Sequence, residues 1–210
     1  MWVKAVRKFR LDSVAPSTQK FAATPTLFRD RNRPETFIVV PRVSSENRPY
    51  IPFGFFDRDS IVSDTCMSIP NGSLFHFGVL MSKMHMAWVQ SVCGRLKSDF
   101  RYSKDIVYNN FPWAENSTKK QVLTIEKAAQ KVLDVRELFS NDSLAVLYDP
   151  SAMPPELIKA HNELDKAVDL AYRPQPFTSE ANRMEFLFSL YEKNTADLFT
   201  KVKAKKTKKK

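Results

Sequence analysis

The chain has 210 residues, 43% of them apolar, with 16 Phe and 3 Trp, enough for one large domain or two small ones and for a packed core rather than a disordered chain. Its formal net charge of +10 and its two cysteines, Cys66 and Cys93, exclude a disulfide framework and zinc-finger spacing and fit a reducing, cytoplasmic compartment. No run approaches the roughly 18 apolar residues of a membrane span, and Lys4, Arg7 and Lys8 interrupt the Met1 to Phe9 stretch where a secretory core would lie.

Charge divides the chain into three. Residues 1–113 hold 16 Lys and Arg against 9 Asp and Glu, a net of +7; residues 114–200 hold 10 against 14, a net of −4; residues 201–210 hold 7 Lys and no acid. The basic part suits a polyanion, met through phosphate contacts and counterion release. DNA would repel the acidic part, which suits support of the fold or a protein neighbour.

Residues 2–11 place Trp2, Val3, Val6 and Phe9 near one helical face and Lys4, Arg7 and Lys8 near the other. A helix starting uncapped at Met1, followed by an irregular stretch to Pro34, reads as the middle of something larger. Strand signals follow at Phe37 to Val40, Ile51 to Phe56 and Ile61 to Met67, and Pro70-Asn71-Gly72-Ser73 reads as a turn. Leu74 to Val92 predicts one apolar helix, ended by Gly94. Leu96 to Tyr102 alternates as a single strand, and Ile106 to Trp113 is short and aromatic. Beyond it, Ser117 or Thr118 caps a helix to Phe139, Ser143 to Tyr148 reads as a short extended link, Pro154-Pro155 opens a helix through Ala171, and Thr178 or Ser179 caps a last helix to Phe199. The fold class is therefore α+β: a mixed β-sheet domain with a packed helix over residues 1–113, a small helical bundle over 114–200, and a disordered, dispensable lysine tail over 201–210.

One set of segments is more specific than this patterning. It runs from Val40-Pro41-Arg42-Val43-Ser44-Ser45-Glu46-Asn47-Arg48 and Tyr50 to Phe55, through Phe77 to Leu80 and Met84 to Trp88, to Gly94 to Ser103 and Val107 to Trp113. In this order it resembles the target-recognition domain of MmeI-like (type IIL) restriction–modification enzymes, densest between Phe37 and Trp113 and extending over residues 1–200. Those enzymes join an endonuclease, an N6-adenine methyltransferase, a target-recognition domain and a C-terminal helical region. The methylating loop (Asn/Asp-Pro-Pro-aromatic) is not matched: Asp149-Pro150 leads into Ser-Ala, and Asn110-Phe111-Pro112-Trp113 has the wrong order. Four glycines cannot form a methyl-donor loop, and no nuclease cluster is recognisable. The resemblance thus implies that S-adenosylmethionine, and Mg for cleavage, belong to methyltransferase and endonuclease domains or a subunit absent from this sequence. It also implies double-stranded DNA as the partner, with no catalytic residue, cofactor or metal in this chain and no membrane.

Read as one strand, Gly94 to Ser103 puts Lys97, Asp99 and Arg101 in a polar row about 6–7 Å apart. Lys donates to guanine O6/N7 and Asp accepts from cytosine N4, so a Lys-x-Asp pair suits one G·C pair. The resemblance implies base readout by Lys97 and Asp99 and by Arg101, with Asp64 or Thr65 its partner from a neighbouring strand. Arg42, Ser44, Ser45 and Arg48 form a basic, hydroxyl-rich turn suited to phosphate oxygens; Arg95, Tyr102, Ser103 and Lys104 complete the backbone contacts, although Tyr102 and Ser103 equally suit anchoring of the strand. The plainer alternatives are a solvated charged strand face, Ser side chains bonding turn backbone and Arg95 neutralising a helix end. His76, His85 and His161 lack ligand spacing; His85, Met81, Met84, Met86 and Trp88 read as core. A rival function is a non-catalytic interaction domain whose basic face binds an acidic protein. An RNA binder lacks a stacking platform.

Overall fold

The computed structural model describes residues 1–27 and 34–207, with side chains through Ala196. Residues 1–34 form one compact unit and residues 35–210 another. In the first, α1 (Trp2–Leu11) is followed by a helical turn, α2 (Pro16–Gln19), and a 3-10 turn over Lys20–Ala23, where the sequence suggests irregular chain. Arg10 closes this unit: its guanidinium donates to the carbonyls of Phe21, Thr24 and Leu27 at 2.8–2.9 Å. No residue of α1 is buried.

The second unit holds two small antiparallel sheets. In the first, β1 (Thr36–Pro41) lies between β3 (Gly54–Asp57) and β4 (Cys66–Pro70), with Ile38 opposite both Phe55 and Ile69. Two strands sit later than the sequence suggests. Ile51 and Phe53 are buried but their segment pairs with no strand, and the segment from Ile61 enters the sheet only at Cys66. Side-chain oxygens there compete for the backbone: Asp57 Oδ1 accepts the Asp59 N–H, and Ser63 Oγ that of Thr65. The second sheet orders β2 (Val43–Ser44), β6 (Asp99–Arg101) and β5 (Gly94–Leu96). Arg42 is the step between the sheets: its N–H donates to Thr65 O at 3.0 Å, and its carbonyl accepts the Tyr102 N–H at 2.8 Å.

The expected single helix over 74–92 is two, α3 (Leu74–Leu80) and α4 (Lys83–Val92), broken at Met81-Ser82. The apolar stripe crosses the break, so hydrophobic spacing does not report it. Met84, Met86 and Trp88 face the core as expected. α5 (Lys119–Glu137) starts at a reciprocal Thr118–Gln121 capping box. Ser143 to Tyr148 is not extended: Ser143 Oγ accepts the Val146 N–H and starts the single turn α6 (Leu144–Leu147). α7 (Pro155–Tyr172) and α8 (Glu180–Thr207) complete the α+β fold. The last helix thus runs past Phe199 through residues 201–207, where the sequence suggests a disordered tail; residues 208–210, and the side chains from Asp197 onward, lie outside the described residues. The core is continuous: Ile125, Ala129, Leu157 and Leu164 of α5 and α7 join Phe77, Met84 and Phe100 in one buried cluster.

Candidate nucleic-acid interface

A cleft of about 800 Å³ opens beside both sheets. One side is β4, whose Met67 and Ile69 are half-buried around an exposed Ser68. The other carries Arg95 and Arg101 of the second sheet and the Ser103 to Ile106 segment, with Arg42 at the junction. Of the expected set, Arg42, Arg95, Arg101, Tyr102, Ser103 and Lys104 line the cleft, Tyr102 with its side chain almost wholly buried. Met67 and Ile69 were not legible as lining, because half-buried strand residues carry the same apolar signal as core.

Gly94 to Arg101 is not one strand but a hairpin, with Leu96 paired to Asp99, Arg95 to Phe100 and Gly94 to Arg101. Lys97 and Ser98 form its two-residue turn, and Lys97 sits at φ 56°, a region an L-residue enters at a cost. Asp99 and Arg101 share the outer face of β6, with Phe100 buried between them, while Lys97 stands at the exposed tip; of the three, Arg101 lines the cleft and Lys97 and Asp99 do not. None of the side chains of Lys97, Asp99, Arg101 or Arg42 makes a hydrogen bond or ion pair with another described residue.

Two proposed phosphate contacts are inside the protein. Ser44 is 2% exposed, because its cross-strand pairing with Phe100 turns it to the inner face of the second sheet. Tyr102 is also 2% exposed; its hydroxyl lies 2.9 Å from His85 Nε2 and its ring packs edge-on against Phe53. Tyr102 thereby anchors the fold, whereas Ser44 Oγ is buried without a hydrogen-bond partner among the described residues. His85 is a core histidine as expected, pushed down to about 3 by burial and hence neutral.

The remaining cations differ in freedom. Arg95 stacks 4.2 Å over Phe100, donates to Ser98 O and faces Glu46 at 3.6 Å, which fixes the hairpin and orients its charge. Lys104 is exposed, with Asp105 3.9 Å away. Ser103 starts the single π-type turn over Lys104–Tyr108, its Oγ accepting the Ile106 N–H. Ser45 and Arg48 lie half-buried in the β2–β3 connection. Asp64 and Thr65 are exposed on the loop before β4 rather than on a strand, and Thr65 reaches the cleft only through its carbonyl bond to Arg42.

The described residues do not fit a methyl donor or a metal. Gly54 and Gly94 lie in strands and Gly78 inside α3. A Cβ on Gly72 would stand 2.5 Å from Ile38 Cδ1, so that glycine serves packing. Among the described residues no three His, Cys, Asp or Glu side chains converge as a metal site, and no helix is long and apolar enough to cross a membrane.

Residues 1–115 match the family described as MmeI, target recognition domain, and residues 117–199 match MmeI, C-terminal domain. A protein of Bacillus subtilis (strain 168) named DNA methyltransferase A is 45% identical over 190 residues, which are 90% of this chain and 21% of that protein. A solved structure of the type IIL restriction-modification enzyme MmeI in complex with DNA superposes with a TM-score of 0.84 at 45% identity, covering 92% of this chain and 26% of that one. The chain therefore spans about a fifth to a quarter of these relatives, and it belongs to the MmeI family, to which it corresponds in the target-recognition and C-terminal domains.

Proposed function

We propose that this chain reads the sequence of double-stranded DNA for an N6-adenine methyltransferase of the restriction–modification type, in the bacterial cytoplasm. The observation that carries the reading is the pair Arg42 and Arg101, two cations without a protein partner among the described residues that converge on one cleft. Family membership and the DNA complex of the MmeI relative support it. S-adenosylmethionine, and Mg for cleavage, are assigned to catalytic domains or a subunit outside this sequence.

The roles follow from exposure and charge. Asp99 and Arg101, adjacent on the outer face of β6, address base edges; Lys97 reaches the same groove from the hairpin tip; Asp64 and Thr65 flank them from the β4 side. Arg42, Ser45, Arg48, Arg95, Ser103 and Lys104 supply phosphate contacts. Residues 1–113 form the reading part and 114–200 its helical support.

The test is duplex binding between about 50 and about 200 mM salt, where each phosphate contact contributes about −0.9 to the slope of log K against log salt. A steep slope, and an altered sequence preference on K97E together with D99R in the enzyme reassembled with its methyltransferase, is the expected result. Binding to an acidic protein with none to duplex, even beside the methyltransferase, would replace this reading by the interaction-domain alternative.

A further inference from the structure

The Ser103 to Ile106 side of the cleft is held from behind at both ends by one helix. Before it, the Tyr102 hydroxyl meets His85 Nε2 at 2.9 Å; after it, Trp88 Nε1 donates to Val107 O at 3.0 Å. His85 and Trp88 are three residues apart on α4 and share a face. Both are essentially buried, at 0% and 2% exposure.

α4 is in turn fixed by a residue far along the chain. Its N-cap Ser82 makes no capping bond, since Ser82 Oγ donates to Val79 O at 2.7 Å. The orphan N–H of Lys83 donates instead to Asp165 Oδ1 of α7 at 2.7 Å. Asp165 Oδ2 accepts the Tyr50 hydroxyl at 2.7 Å, and Lys83 Nζ stands 3.7 Å away. A carboxylate at a helix N-terminus is favoured by the dipole as well as by the bond.

We propose that His85 and Trp88 are positioning residues for DNA reading: they set the place of the Ser103–Ile106 side of the cleft relative to Arg101, with Asp165 holding α4 for that purpose. The inference rests on the DNA-reading function above and names the device that gives it a fixed geometry. A hydrogen-bonded segment presents Ser103 and Lys104 at one spacing from Arg101. A loosened segment presents them at many, and sequence discrimination falls while general attraction to phosphate persists, since the latter needs charge rather than register.

The test uses the 210-residue chain, together with its methyltransferase, and two variants that each remove one of these bonds, Tyr102→Phe, which keeps the ring, and Trp88→Phe, which also shrinks it, with His85→Gln as the variant that retains a polar partner. Amide hydrogen exchange of residues 103–108 is followed by mass spectrometry, and sequence enrichment is measured from a duplex library with a randomised centre at low salt. Tyr102→Phe and Trp88→Phe are expected to speed exchange in 103–108 and to reduce enrichment about fivefold, the factor one ordinary hydrogen bond represents. Exchange in β1 and the salt slope on a fixed duplex should stay unchanged, and His85→Gln should keep part of the enrichment. A merely structural role would lower the melting temperature and leave enrichment as it was. If the unaltered chain enriches sequences and the variants equal it in either exchange or enrichment, the positioning role is overturned while the DNA function stands. If the unaltered chain binds no duplex even beside its methyltransferase, the DNA function fails and this role falls with it.

Discussion

Arg136 Nη1 of α5 donates to the Phe53 carbonyl at 2.7 Å, tying the helical region to the unpaired segment before β3. Arg136 is 7% exposed and has no carboxylate partner among the described residues. Its charge is met by the Tyr148 oxygen, 2.9 Å from Nε, and by the rings of Tyr148 and Phe77, whose centroids lie 4.8 and 5.3 Å away. The bonds run in one direction: Arg136 donates to Tyr148, and the Tyr148 hydroxyl donates onward to His161 Nε2 at 2.7 Å, which burial keeps neutral. Arg136→Met leaves two buried oxygens short of donors and should cost about 2–4 kcal/mol in urea denaturation. Arg136→Lys should recover less than half, since one ammonium cannot span both acceptors. A loss under about 0.5 kcal/mol, the range of an ordinary surface substitution, would show that the network is not holding the two regions together.

Gly78 marks where α3 meets α5 and α7. A Cβ there would stand 2.7 Å from Ile125 Cγ2, 3.1 Å from Ala129 Cβ and 3.3 Å from Leu164 Cδ1. Gly78→Ala gains up to about 1 kcal/mol of helix propensity, yet the overlap falls on three packed side chains at once. Overpacking of this kind costs about 1–3 kcal/mol, so the net change should be destabilising. A higher melting temperature for Gly78→Ala would mean that the helices separate easily at this point.

These long-range contacts explain which parts of the molecule were legible in the sequence. α1, β1, α5 and α7 follow from local signals: apolar spacing, the Thr118–Gln121 box and Pro155 at a helix start. The break at Ser82 does not, because its compensating partner, Asp165, lies 82 residues away. The hairpin was hidden for a different reason. Lys97-Ser98 lacks the Gly, Asn or Asp that two-residue turns favour, so the alternation of Leu96, Ser98 and Phe100 resembled an unbroken strand. In the hairpin Leu96 pairs with Asp99 and Arg95 with Phe100, so Leu96 and Phe100 face opposite sides. The charged residues of the cleft were readable as types; their burial was not, since Ser44 and Tyr102 are hidden by strand pairing and by His85.

Lys97 combines backbone strain with an unpartnered charge, and its substitutions should separate the two. Lys97→Gly relieves a positive φ and should stabilise the hairpin by about 0.5–1 kcal/mol. Removing the cation should weaken binding to preferred duplexes and leave the salt slope almost unchanged if Lys97 addresses a base. Arg42→Ala and Lys104→Ala should instead weaken binding to all sequences alike, each flattening the slope by about 0.9. The same loss of slope in Lys97→Gly would reassign that lysine to the phosphates.

Acid should unfold the chain through its histidines before its carboxylates. His85 and His161 are pushed down to about 3 by burial, against an ordinary value near 6.5. Below that ordinary value the unfolded chain takes up protons that the folded chain refuses. The contribution of each neutral histidine is therefore complete above about pH 6.5 and is lost as pH falls toward about 3, at up to about 1.4 kcal/mol per pH unit for each histidine. Asp165 works the other way: burial raises its folded value above its ordinary one, so the folded chain takes up that proton more readily than the unfolded chain and offsets part of the loss as pH falls. The urea midpoint should thus fall steadily between pH 7 and pH 5, where carboxylates of ordinary acidity barely titrate. His85→Gln should flatten that limb by up to about half, leaving the shares due to His161 and to His76, which burial also lowers. A midpoint constant from pH 7 to pH 5 in the unaltered chain would mean that water or backbone rearrangement lets one or both imidazoles charge within the fold.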